Sequence, residues 1–125
     1  MIESIPIRQL YDDFVKGNVA GIFTYLADDV EWETYGSEEF PFTGAAKGHQ
    51  DLLAFFMRVA THLDIQTNTP VHILKQDNMI VVWGEMRAVV RATGKVVVSP
   101  FADLVKAKDG KIVSYERLMN TIAFQ

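Results

Sequence analysis

The chain has 125 residues, 49% of them hydrophobic and 22% charged, with a formal net charge of -4. That length fits one domain, residues 1–125, able to bury roughly two thirds of the surface its unfolded form exposes, and the composition excludes disorder. Lys and Arg are scattered instead of clustered, which argues against nucleic acid, and the absence of cysteine excludes disulfides, thiolate metal sites and a cysteine nucleophile. No apolar run approaches the roughly 18 residues that span a bilayer, and MIESIPIRQLYDD lacks a basic segment followed by an apolar one, so a cytoplasmic protein without membrane contact is expected.

Ile7, Leu10, Tyr11, Phe14 and Val15 follow the spacing of an amphipathic helix, which Gly17-Asn18 ends. A second short helix is predicted with Val19, Ile22, Phe23 and Leu26 on one face. VEWETY, Val30 to Tyr35, alternates apolar and acidic residues as a half-exposed strand does, with Val30, Trp32 and Thr34 inward. Gly36 to Gly48, with three Gly and a Pro, reads as a long surface loop. His49 to Leu63 returns to the helical period, with Leu52, Phe55, Phe56 and Val59 on its broad apolar face.

Four strand-like runs follow: Asp64 to Lys75, Met79 to Ala92, Lys95 to Lys108 and Lys111 to Ile122. The strongest turn between them is Asp109-Gly110, a pair that tolerates the positive φ angles of a type I' hairpin. Helix, helix, strand, helix and four strands make an α+β domain, with helices on one face of a curved antiparallel sheet, and Gly84 inside VVWGEM suits the bend. Trp83 falls on the polar side of its strand, where an aromatic residue suits an interface.

By alternation Phe101, Asp103, Val105 and Ala107 share one face, and an Asp among apolar neighbours is expensive unless paired or protonated. Asp103 is thus the best candidate for a general acid or base, against the plainer reading of an Asp bonded to an Arg or a backbone amide in the core. On the last strand Ile112, Ser114, Glu116, Leu118 and Asn120 are read as one face, and Val113, Tyr115, Arg117 and Met119 as the other. Glu116, if inward, wants a cationic partner, and joins Asp103 as the second catalytic candidate. The candidate pocket is Tyr11, Trp32, Thr34, Phe56, Met86, Phe101, Leu118 and Asn120. A small-molecule role needs a void: ligand pockets usually occupy several hundred Å³, and one below roughly 100 Å³ would remove both small-molecule readings. His49, His62 and His72 show no metal-ligand spacing, and neither a metal nor another cofactor is expected.

Four stretches carry a resemblance: LADDVEW (Leu26 to Trp32), FPFTGAAKGHQDLLAFF (Phe40 to Phe56), RATGKVV (Arg91 to Val97) and KDGKIVSYERLMNT (Lys108 to Thr121). In this order they resemble the SnoaL-like polyketide cyclases and ketosteroid isomerase-like proteins of the nuclear transport factor 2-like superfamily. The resemblance implies a cone-shaped sheet closed by three helices around a mostly apolar cavity, a homodimer through the outer sheet face, and a small hydrophobic ligand or substrate. In the ketosteroid isomerases a carboxylate moves a proton while a tyrosine and a protonated aspartic acid steady the enolate oxygen. Here the position of that carboxylate falls on Thr34 and that of the tyrosine on Leu10, with Tyr11 next to it, while Asp103 matches the aspartic acid. The positions where cyclases and related epoxide hydrolases often carry Arg, an aromatic residue and Asp hold Glu116, Leu118 and Asn120. The implied function is acid/base isomerisation, cyclisation or dehydration of a small hydrophobic carbonyl compound. A non-catalytic binder of such a compound, or a dimeric interaction module, is the alternative.

Overall fold

The computed structural model describes residues 5–37, 40 and 43–124. Helix α1, Ile7–Lys16, packs Ile7, Leu10 and Tyr11 into the core and stops where Gly17 takes the left-handed conformation, φ 74°. The Asn18 side chain caps α2, Val19–Phe23, by accepting the Gly21 amide. Helix α3, Gly48–His62, buries Leu52, Phe55, Phe56 and Val59.

The strands are β1 (Leu26–Tyr35), β2 (Gly44–Lys47), β3 (Leu63–Gln76), β4 (Met79–Val90), β5 (Val96–Lys108) and β6 (Lys111–Met119), and a short 3-10 turn spans Thr121–Phe124. They form one sheet in the order β2-β1-β6-β5-β4-β3. The fold is the α+β arrangement of a curved sheet and three helices, and the apolar core lies between them. At the β5–β6 turn Asp109 and Gly110 take φ 54° and 76°, both positive as a type I' hairpin requires.

Three local expectations change. Leu26 does not continue the face of α2 but opens β1, where it pairs with Ile112 of β6. Residues 44–47 of the predicted loop form β2, whose small residues have little strand propensity of their own and are held by antiparallel pairing with β1. Glu38, Glu39, Pro41 and Phe42 of that loop lie outside the described residues. The sheet also contains one parallel pair, β1 with β6: the chain leaves β1 through β2 and α3 to β3 at the opposite edge, and the meander β3-β4-β5-β6 then brings β6 alongside β1.

Gly84 sits where β4 crosses Phe101. A Cβ there would come within 2.4 Å of both the Phe101 ring and the Thr69 carbonyl oxygen, so only glycine lets the three strands approach this closely.

Candidate functional site

The centre of the site is set by a slip in strand pairing. Extending the Lys108–Lys111 pair without interruption would put Glu116 opposite Asp103, two carboxylates face to face. The pairing shifts by one residue beyond Ala107, so Lys106 meets Ser114 and Asp103 meets Arg117. Both are buried, Asp103 with 1% of its surface exposed and Arg117 with 6%. The guanidinium grips the carboxylate with two bonds, Nε to Oδ1 and Nη2 to Oδ2, each 2.7 Å. The cost of an Asp among apolar neighbours is thus met by pairing it with Arg117, the plainer of the two readings of Asp103.

Two phenols complete the cluster. The hydroxyls of Tyr11, from α1, and Tyr115, from β6, both donate to Asp103 Oδ2. They lie 3.2 Å apart, and Arg117 Nη2 also donates to the Tyr115 oxygen at 3.1 Å. Aromatic packing holds each group in place. Tyr115 stacks on Trp32 with centroids 3.8 Å apart, Tyr11 stacks on Phe101, and the Arg117 guanidinium lies 3.9 Å above the Phe101 ring.

Burial pushes the Tyr11 hydroxyl far above the ordinary phenol range, and Tyr115 and Asp103 push it further. Burial does the same to Tyr115, where Arg117 pulls the other way and Asp103 adds to the rise. For Arg117 burial alone would weaken the charged form, but the Asp103 carboxylate reverses this and holds the guanidinium above its usual value. Both phenols are therefore neutral donors at any pH at which the protein works.

The cluster ends a void of about 70 Å³ between the helices and the sheet. This is several times smaller than the volume expected for a ligand pocket. Tyr11, Trp32, Thr34, Met86, Tyr115 and Arg117 reach its wall, with Asn68 from β3 as a further polar group, and apolar side chains make up the rest. Asp103 lies behind the phenols and the guanidinium. Phe56, which meets Trp32 edge-on, and Phe101, beneath Arg117, also stand behind the wall instead of on it.

Three sequence candidates fall elsewhere. Glu116 lies on the outer side of β6, where its carboxylate accepts the Tyr35 hydroxyl at 2.9 Å, so it does not share a cavity with Asp103. Leu118, 59% exposed, and Asn120, also exposed, do not face the void either. The pairing slip is the cause: it turns Ile112 and Tyr115 to the same side, so Tyr115, Arg117 and Met119 face inward and Glu116 and Leu118 outward. Arg117 and Tyr115 were not singled out from the sequence. The signal was present in the apolar and aromatic character of Tyr115 and Met119 on the set containing Arg117. His49 is partly buried and uses Nε2 to donate to the carbonyls of Leu26 and Ala27, a tie between α3 and β1.

Residues 7–115 match the model of the SnoaL-like domain. No curated protein matches the chain. Among solved structures it is similar to a nuclear transport factor 2-like protein of unknown function from Burkholderia pseudomallei K96243. The two are 25% identical over 93% of this chain and 88% of that one, with a TM-score of 0.82. It is also similar to TerC, co-crystallised with polyporic acid, at 26% identity over 98% and 93% of the two chains and a TM-score of 0.82. A hypothetical protein with a ketosteroid isomerase-like fold from Catenulispora acidiphila DSM 44928, in complex with trimethylamine, shares the fold alone, with 10% identity over 91% and 84% and a TM-score of 0.78. With a family model that spans most of the chain and a fold common to these relatives, this protein belongs to the SnoaL-like domain family.

Proposed function

We propose that the protein binds a compact, mostly apolar carbonyl compound and promotes its enolisation, the step shared by isomerases and cyclases. The observation that carries this reading is the buried cluster of Tyr11, Tyr115 and Arg117, three hydrogen-bond donors at one end of an apolar void. Donors fixed at one end of an apolar void stabilise an oxygen that gains negative charge better than solvent does, because they need no reorganisation. Asp103 acts as a positioning residue in this scheme. With Arg117 occupying both carboxylate oxygens, one phenol can turn its O–H toward a ligand oxygen and leave Asp103 still paired.

The cluster supplies hydrogen bonds, not a base: no Asp, Glu or His is among the described residues that line the void. The substrates that suit it are therefore compounds whose C–H is already acidic, such as one flanked by two carbonyls, so that water takes the proton. The void is smaller than either small-molecule reading needs, so this reading requires Met86 and Met119, which line it, to repack and admit a ring, as flexible methionine side chains do at small cost. TerC, the 26% identical relative, was co-crystallised with polyporic acid, which supports a small-molecule role. The same lack of a base favours a second reading, a non-catalytic binder.

Benzoylacetone, a small dicarbonyl, separates the two readings. Thermal stabilisation by benzoylacetone, together with faster interconversion of its keto and enol forms that Tyr115→Phe largely abolishes, is the expected result. Stabilisation without acceleration leaves the binder, and no stabilisation at high concentration rules out both.

The reading includes a homodimer. On the outer face Leu74, Val81 and Leu104 form one cross-strand row, and His72, Trp83, Ala102 and Leu118 the next. Leu74, Val81, Trp83 and Leu118 are 42–68% exposed, a contiguous apolar patch of the kind that monomers seldom leave uncovered. Trp83→Glu should convert a dimer to a monomer in sedimentation equilibrium, and a wild-type monomer would remove this part of the reading.

A further inference from the structure

Asn68 is 6% exposed, lines the void, and its Oδ1 has no hydrogen-bond partner. It is the sole buried side-chain oxygen or nitrogen in this state among the described residues. Leaving a buried polar atom unpaired is costly, and the favourable alternative of an apolar residue is what surrounds it: Ile65 and Met86 on the same wall.

The backbone departs from regularity at the same place. On β3 the odd-numbered Leu63 and Ile65 point inward, the even-numbered Asn68 and Pro70 follow, and Ile73 restores the odd set. The pairing with β4 slips between Ile65 and Thr67 and again between Pro70 and His72. Without the first slip Thr67 would stand opposite Met86, and Asn68 would point to solvent. Strand irregularities of this kind re-aim side chains beside functional sites. Two independent features, an irregular strand and an unpaired amide, thus put one hydrogen-bonding group on an otherwise apolar wall.

We infer that Asn68 is a specificity residue that selects a ligand bearing a hydroxyl group in addition to the carbonyl oxygen held by the tyrosine and arginine cluster. The inference rests on the small-molecule reading above and narrows it to hydroxylated carbonyl compounds. A hydroxyl suits this position because it both donates and accepts. It satisfies Asn68 whichever way the side-chain amide is turned, whereas a second carbonyl or an ammonium group suits one orientation only. A compound without that hydroxyl leaves the amide unpaired in the complex, which is how buried polar groups reject analogues that lack a partner.

Acetophenone and its meta- and para-hydroxy derivatives test this by calorimetric titration of the wild type, Asn68→Leu and Asn68→Ala. At least one hydroxy isomer should bind the wild type about tenfold more tightly than acetophenone, and both variants should bring that ratio close to one. Free Asn68→Leu, with a side chain of similar shape and no unpaired atom, should melt no lower than the wild type. If acetophenone binds but the ratio is the same in the wild type and the variants, Asn68 does not select a hydroxyl, and the cavity reading stands without it. A marked fall in the melting temperature of free Asn68→Leu would show that the amide is bonded structurally and would also overturn the inference. If none of the three compounds binds the wild type, both the cavity reading and this refinement of it fail.

Discussion

The two faces of the β5–β6 hairpin each hold a carboxylate and treat it in opposite ways. Inward, Asp103 and Arg117 share two hydrogen bonds, and two phenols and an aromatic ring enclose them. Outward, Glu116 accepts a single hydrogen bond from Tyr35 at the surface. The chemistry of the groups is similar, and burial separates them. A carboxylate in water is hydrated whether or not a partner is present, while a carboxylate in the core depends on every donor it has. The inner face is therefore where removal of one atom group has large consequences, and where hydrogen bonds are strong enough to act on a ligand.

Removing the guanidinium tests that contrast most severely. Arg117→Met keeps the volume but strands Asp103, and unfolding in urea should show a loss of about 3–5 kcal/mol. The double replacement Asp103→Leu with Arg117→Met should recover most of that loss, since neither charge is left alone, while ligand binding stays abolished. If the double variant is no more stable than the single one, the pair is not the unit described.

The phenols give the next effect, and its sign is set by their raised values. The folded state keeps both protons at pH values where the unfolded chain has released them, so nothing changes below the ordinary phenol range. Stability should fall as pH rises above about 10, with a slope on the order of 1 kcal/mol per pH unit for each phenol. Of the four tyrosines, absorbance titration should show Tyr11 and Tyr115 ionising only as the protein unfolds. In the Tyr11→Phe, Tyr115→Phe double variant the alkaline slope should be shallower, and an unchanged slope would mean that the two hydroxyls are not held neutral by the fold.

The smallest effect belongs to the outer face. Glu116→Gln should leave both the urea midpoint and the affinity for benzoylacetone where they are, because the hydrogen bond it alters is exposed to water. A loss of affinity would bring Glu116 back into the site.

Much of the fold could be read along the chain. The helical spacing of Ile7, Leu10 and Tyr11 and the alternation of Val30, Trp32 and Thr34 each reflect one face buried against one solvated. The same holds for Phe101, Asp103, Val105 and Ala107, and all three sets emerge with those faces inward or partly inward. The Asp109-Gly110 turn was equally legible, since few residue pairs accept its backbone angles. β2 was not, because Gly-Ala-Ala-Lys has no strand character until β1 lies beside it.

The candidate site shows the same division more sharply. Local sequence determined that Asp103 would face the core, as a two-residue period carries that information without reference to any other strand. Its partner depended on register. One slip in β6 exchanged Glu116 for Arg117 opposite it, and another in β3 turned Asn68 inward. Such slips are settled by how neighbouring strands fit together across the sheet, by the sum of packing and hydrogen bonding over many residues. A strand's own sequence states its period but not where that period is interrupted, so the composition of the cavity wall was decided only in the assembled structure.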